Sequence, residues 1–573
     1  VLTETERVVR NGFLQSELDR EKLGSQQYLD QALLEKDKSP SGPLADELVR
    51  HVVSDEPVPG IVYEQAMSAR FLPEISLAEI NALAKTWLPP QNRVVAVSAP
   101  ARPGLALPTQ TVLAGVIDTV NRATIPAYVD RTRSKPLLAS APTPGRVVRE
   151  TTRQAIGITE WQLSNGAKVL LKPTTFKEDE ILFRATSPGG TSQAADQDLV
   201  PAQTAEQVIP DGGLGDFSTL ELDRVLAGKQ VGVRADIGES DEGLSGGARR
   251  ADVETMFQLI HLTFTAPRAD AVQFEATKSR LKPMLSNQQV RPEVVFRQTL
   301  TAALTQNHLR ARPLTPATVD QMNLQRSMAF YQNRFADASD FTFVFVGSFD
   351  LATMKPLVER YLASLPALRR TEAPVDRGIR PPDGPVTREV VSGVEPRSRV
   401  AIVFNGTFDN TPTERLHIKV MSEMLAGFLQ GTLREDMGGT YGVSVEPRFS
   451  KQPVSEYRVS IDFVCDPARA DALTAAAWDV IRNFRERGPA PDQMVNERMS
   501  FERQQESGLF QENRDLLNEL VLKVENGEDL AEVFDPKPVH DTLTRESLRL
   551  AAQRYLNLQR YVQVTLKPEP ARP

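Results

Sequence analysis

The sequence predicts an α+β protein built from repeated units, each a mainly antiparallel sheet with helices packed on one face. Three observations predict it. Strand-like alternation recurs, as in Tyr457, Val459, Ile461, Phe463 and Cys465, and a period of two marks a strand with one buried face. Long helical segments lie between such strands, at Glu17 to Glu35, Asp252 to Thr265 and Pro491 to Gln504. A helix-then-strand pattern also recurs. Ser76 begins S-L-A-E-I-N-A-L-A-K-T-W-L before the apolar run Val94 to Val97, and Thr544 begins T-R-E-S-L-R-L-A-A-Q-R-Y-L before Tyr561 to Leu566. A looser copy places Leu324, Met328 and Tyr331 before Phe341 to Val346. The equivalent residues Ile80, Leu324 and Leu548 are 244 and 224 residues apart. A repeat that long is a domain, not a turn of a solenoid.

Composition sets the outer limits. A chain of 573 residues exceeds what one core organises and suggests roughly three or four domains. Hydrophobic content of 40% and charged content of 25% fit a soluble globular protein. The net charge of −8 comes with no basic patch or arginine-rich run, which excludes a nucleic-acid reading. Every apolar run is shorter than the ~20 residues that span a bilayer. No signal peptide is visible, which leaves open its removal or a longer precursor. The single cysteine, Cys465, falls on the apolar side of its strand and reads as a small core residue.

Taken in order, residues 1–100 read as the C-terminal part of an incomplete unit. In the middle copy, 163 residues separate the opening strand at Trp161 from Leu324; the same offset back from Ile80 falls about 83 residues before the chain begins. The opening strands of the first unit must therefore come from a longer precursor or a second chain, since half a domain leaves a sheet edge and a core face open. Residues 101–155 read as a linker, with Pro100 and Pro103 at its start and Pro108, Pro126, Pro136, Pro142 and Pro144 along it. Residues 156–370 form the second unit. It opens with W-Q-L-S-N-G-A-K-V-L-L, where Asn165-Gly166 between apolar runs predicts a hairpin. Residues 371–573 form the last unit, after a shorter proline-bearing connection from Leu365 to Val386.

The chemistry is carried by few residues. The histidines are His51, His261, His308, His417 and His540, and the nearest two are 47 residues apart. A zinc peptidase takes two ligands from one helical face, as in H-E-x-x-H or H-x-x-E-H, so no zinc site is expected in this chain. The run L-R-E-D-M-G-G-T-Y-G-V-S-V is richer. Thr411-Pro412-Thr413-Glu414 is a capping box that starts a helix, and the helix reaches Arg434 and stops near Gly438-Gly439. Tyr441 then opens the alternation Tyr441, Val443, Val445. A guanidinium and a phenol are thus brought to one glycine turn, and both are donors suited to a peptide carbonyl or an oxyanion. A surface arginine and a half-buried strand tyrosine is the plainer alternative.

L-R-E-D-M-G-G-T-Y-G-V, W-Q-L-S-N-G-A-K-V and the run from Ile75 to Val97 together resemble the insulinase, pitrilysin and processing-peptidase family of zinc metallopeptidases. The likeness is to the C-terminal, non-zinc-binding portion of a bacterial four-domain member. The resemblance implies pitrilysin-type domains in a clamshell around a peptide, with zinc on the missing N-terminal half. That half, bearing H-x-x-E-H, would be the partner, on the same precursor or another chain. It further implies that Arg434 holds a substrate carbonyl and Tyr441 stabilises the tetrahedral intermediate. Gln203-Thr204-Ala205-Glu206-Gln207 falls where H-x-x-E-H would lie, so Gln203, Glu206 and Gln207 read as a degenerate zinc motif. The chain alone would then be an inactive part of a hydrolase, and a periplasmic site follows from the bacterial members. A non-catalytic scaffold or peptide-binding protein on the same fold is the competing reading.

Overall fold

In the computed structural model, residues 1–89, 91–92, 94–99, 104–130 and 135–570 are described. Two mixed, mainly antiparallel sheets organise everything after residue 146. The first has seven strands: β1 (Val147–Arg153), β2 (Ile158–Leu163), β3 (Lys168–Pro173), β4 (Ile181–Pro188), β5 (Val231–Ile237), β6 (Asp241–Ala248) and β7 (Thr342–Gly347), in the order β1-β2-β3-β7-β4-β6-β5. The second has five: β8 (Val386–Val391), β9 (Ser398–Thr407), β10 (Thr440–Ser450), β11 (Glu456–Cys465) and β12 (Tyr561–Lys567), in the order β10-β11-β9-β12-β8. In each, one parallel pair, β3 with β7 and β12 with β8, joins otherwise antiparallel neighbours.

The expected hairpin forms, as β2 pairs antiparallel with β3. Only Gly166 takes the left-handed region, at φ 103°. Asn165 works through its side chain, with Oδ1 accepting from Ala167 N–H at 3.2 Å and Nδ2 donating to Leu362 O at 2.8 Å.

Each unit packs its own helices on one face of its sheet. Trp161, Phe183 and Phe345 meet Phe257 and Ile260 of the helix Val253–Thr265, and Tyr331 of the helix Leu324–Arg334, in the first core. Ile402, Phe404 and Ile461 meet Met421 and Leu425 of the helix Pro412–Gln430, and Leu548 of the helix Arg545–Tyr555, in the second. The opposite faces are covered reciprocally. Leu516, Leu517 and Leu520 of the helix Asn513–Asn526 lie on Ile158, Leu170 and Val344 of the first sheet. Phe296 and Leu304 of the helix Pro292–Leu304 lie on Ala401, Val403 and Val564 of the second. Each unit thus lends one helix to the other, and burial of these apolar side chains, about 1.5–3 kcal/mol apiece, couples the two.

The connection between the units is tied down by polar contacts. Asp337 accepts from Leu368 N–H at 3.0 Å and Arg370 N–H at 2.6 Å, and Arg377 donates to Ser192 O at 2.7 Å and Ala194 O at 2.8 Å. Within residues 101–155, the helix Gln110–Arg122 and β1 break the proline-rich stretch, while Pro100 and Pro103 lie outside the described residues.

The first copy of the repeat differs from the other two. Its helix Leu77–Trp87 starts as expected, with Ser76 Oγ accepting from Glu79 N–H at 3.2 Å and the Glu79 carboxylate accepting from Ser76 N–H at 2.7 Å. The strand expected at Val94 to Val97 is absent, and Val94 is 94% exposed. A strand needs a neighbour, and the described residues offer none there. Trp87 shows the same deficit: it is 76% exposed, where its counterparts Tyr331 and Tyr555 are 2% and 1% exposed.

Candidate substrate-contact site

The helix Pro412–Gln430 positions Arg434. Thr411 Oγ1 accepts from Glu414 N–H at 3.2 Å and Pro412 takes the first helical position. The capping box is only half formed, because the Glu414 carboxylate instead accepts the Tyr555 hydroxyl and ties this helix to Arg545–Tyr555. Val420, Met421, Met424 and Leu425 are buried, which anchors the helix on the sheet.

One widened turn, Gly431–Asp436, of π-helical geometry, carries Arg434. Its closing bonds run from Met437 N–H to Thr432 O (3.1 Å), Gly438 N–H to Arg434 O (2.9 Å) and Gly439 N–H to Leu433 O (3.0 Å). Gly438 sits at φ 58°, in the left-handed region that a side chain disfavours. Gly439 is required by space: a Cβ there would lie 2.5 Å from Leu473 Cδ2. Arg469, which the sequence did not single out, donates to Gly438 O at 3.1 Å and Met437 O at 2.6 Å. Gln430 Oε1 accepts from Val443 N–H at 3.3 Å and binds the helix end to the strand start.

The structure corrects the place of Tyr441. The alternation Tyr441, Val443, Val445 would put the ring on the half-buried face with the valines. Instead, the β10–β11 register slips by one residue between Thr440 and Val443. This bulge takes Tyr441 out of phase, and the side chain is 95% exposed. Arg434 is also exposed. Among the described residues neither side chain has a hydrogen-bond or ion-pair partner. Two free donors thus flank one braced turn at the open edge of the second sheet, a geometry able to receive carbonyl oxygens of a polypeptide.

The degenerate motif lies in the other unit, on the helix Leu199–Val208. It does not suit zinc. Gln203 donates its amide to Arg310 O at 3.2 Å, and the Glu206 carboxylate accepts from Ile237 N–H at 3.0 Å. Gln207 is exposed. Glu206 is therefore more than a polar helix face, since it caps the end of β5. Among the described residues no group of three or more His, Cys, Asp or Glu side chains could hold a metal. The histidines serve locally: His261 Nδ1 is 3.1 Å from Tyr361 O, His308 Nδ1 accepts from Arg310 N–H at 3.3 Å, and His540 stacks on Phe501 at 3.6 Å. His51 Nδ1 is 2.7 Å from Glu56 O and His417 Nε2 is 2.9 Å from Thr542 Oγ1. Cys465 is buried, and burial pushes its thiol up to about 11, so it is inert as a nucleophile at neutral pH.

Comparison with known proteins agrees with this architecture. Residues 321–500 match the family model described as the peptidase M16 inactive domain. The chain is 24% identical over 535 residues to a zinc protease PQQL-like protein of Arabidopsis thaliana, covering 90% of this chain and 53% of that one. It is 24% identical over 491 residues to the probable zinc protease PqqL of Haemophilus influenzae, covering 83% and 51%. The chain thus spans about half the length of these curated relatives. Among solved structures, the periplasmic protease PqqL of Escherichia coli superposes with a TM-score of 0.68 at 20% identity, over 99% of this chain and 63% of that one. The ferredoxin protease FusC, solved in complex with Arabidopsis ferredoxin, superposes with a TM-score of 0.73 at 19% identity, over 99% and 62%. At such identities the superpositions speak for the fold alone, and the sequence matches carry the kinship. With repeated sheet-and-helix units and a matched inactive-domain segment, the chain is similar to the insulinase/pitrilysin family of zinc metallopeptidases.

Proposed function

We propose that this chain is the substrate-contacting, non-zinc half of a zinc metallopeptidase, working against an N-terminal half that bears H-x-x-E-H. The exposure of Arg434 and Tyr441 without partners, on either side of a turn braced by Arg469, carries the reading. The two halves form a clamshell around an extended peptide. Arg434 donates to a substrate carbonyl. Tyr441 donates its hydroxyl to the oxyanion that develops when water attacks the scissile carbonyl. Zinc held by the H-x-x-E-H of the other half would supply the activation of that water; this chain's residues position and polarise the peptide. The open core face around Trp87 is where the other half closes the first unit, and the shorter span relative to the curated relatives supports such a half. The substrate is a peptide or small protein, in keeping with the ferredoxin bound to the FusC neighbour. A periplasmic location follows the Escherichia coli protein.

The test is native mass spectrometry of the complex from its source cell, followed by peptide turnover. A partner or precursor with H-x-x-E-H is expected, and Arg434→Ala and Tyr441→Phe should each lower kcat about 10- to 1000-fold. A chain found alone, with no such segment encoded or bound, would sink the peptidase reading in favour of a scaffold.

A further inference from the structure

We infer that the cleft between the helix Leu199–Val208 and the core side of β5 is a binding site for a small, uncharged, largely apolar molecule that carries a carbonyl oxygen. The site lies outside the peptidase reading above and does not depend on it. The cleft holds ≈ 610 Å³ and is walled by Ile209, Leu214, Leu222, Val233, Ala235 and Pro267, a size and an apolar lining usual for small-molecule sites. Gln207 and Arg234 at its rim are exposed, so solvent reaches it. At its floor lies Tyr331, 2% exposed. Among the described residues the Tyr331 hydroxyl has no hydrogen-bond partner. Tyr555, its counterpart in the repeat, is 1% exposed and donates its hydroxyl to Glu414. A buried hydroxyl without a partner is unusual, and this one borders a cavity with room for an acceptor.

Three other polar side chains of the cleft are already engaged. Thr263 Oγ1 donates to Leu259 O at 2.9 Å, the Glu206 carboxylate accepts from Ile237 N–H at 3.0 Å, and Asp211 Oδ2 accepts from Thr277 Oγ1 at 2.8 Å. Two carboxylates against one guanidinium, Arg234, disfavour an anion in this lining. The apolar walls disfavour a cation, which would lose its hydration on entry. Burial raises the Tyr331 phenol above its ordinary range, so it stays a donor at neutral pH. One unspent donor at the floor of an apolar cleft selects a neutral body with one acceptor: a ketone, an ester or an amide.

Fluorine NMR on the full chain tests this, with para-trifluoromethylacetophenone as the ketone probe. Saturable line broadening is expected. Tyr331→Phe removes the donor and should weaken that binding about tenfold. The hydrocarbon probe para-ethylbenzotrifluoride, which lacks the oxygen, should bind the parent and Tyr331→Phe alike. The melting temperature of Tyr331→Phe should equal or exceed the parent's, because no hydrogen bond within the protein is lost. Leu222→Trp, which fills the cleft from the helix Thr219–Val225, should abolish binding of both probes. Absence of saturable binding, parental ketone binding in either folded variant, or an equal loss of both probes in Tyr331→Phe would overturn the site. A lowered melting temperature in Tyr331→Phe would do so too, by showing that the hydroxyl already has a partner.

Discussion

The guanidinium of Arg469 donates to two carbonyls of the turn that separates Arg434 from Tyr441. It touches neither side chain, so its part is positioning. Arg469→Ala should speed amide exchange across residues 437–442 and lower kcat in the reconstituted enzyme, while the melting temperature moves little. Gly439→Ala would push into Leu473, which is fully buried, and overpacking of this kind costs about 1–3 kcal/mol in urea unfolding. A different residue governs pH response. Glu242 is 1% exposed and accepts from Gly190 N–H at 2.6 Å, with Arg334 at 3.6 Å. Burial outweighs both partners and pushes its carboxyl up to about 8. The folded state therefore binds this proton more tightly than the unfolded chain, whose glutamate titrates near 4.5. The stabilisation is complete below about pH 4.5 and is lost as pH rises toward about 8. Unfolding free energy from pH 5 to 8 should fall less steeply in Glu242→Gln than in the parent; an unchanged slope would assign the pH response to other groups.

At the scale of elements, the helix Asn513–Asn526 belongs by sequence to the last unit and by packing to the sheet of the unit before it. Polar contacts reinforce the seat: Asn513, fully buried, donates to Glu180 at 2.8 Å, and Thr186 donates to Glu525 at 3.2 Å. Leu520→Ala should cost about 2–5 kcal/mol and split a single denaturation transition in two, because Leu520 is fully buried between the units. A single transition with an unchanged midpoint would show that the exchanged helices do not couple the units. The two edge strands show how one plan is used twice. A helix side chain caps an outward N–H in each, Glu206 on Ile237 and Gln430 on Val443. Only β10 has the bulge that throws a tyrosine outward.

For the whole molecule, the open question of partnership is written in exposed apolar surface. Trp87 is 76% exposed, Val94 94%, and Val52 and Val53 on the helix Ser41–Ser54 are 80% and 78%. Large apolar side chains exposed in this number are costly to leave in water. Trp161 is buried in the first core and cannot report on that face. The difference in fluorescence between the parent and Trp87→Phe should therefore be quenched by iodide in the lone chain and protected, with a blue shift, when the zinc-bearing half is added. Unaltered quenching in an active complex would place the contact elsewhere.

The repeated units, the helix Pro412–Gln430, the hairpin at Asn165-Gly166 and the absence of a histidine pair were all legible in residue order, because periodicity, caps and turns are local. The braced turn, the bulge at Tyr441 and the exchange of helices between sheets were not. Arg469 lies 35 positions after Arg434, and no spacing rule links them. The bulge exists only relative to β11, and a helix with an apolar face does not state which sheet it will cover. Residue order alone determined most of the helices and strands, but not whether the apolar run Val94 to Val97 pairs as a strand. Tertiary structure decided which faces meet, and so which donors remain free, because burial and register are relations between segments distant in the chain.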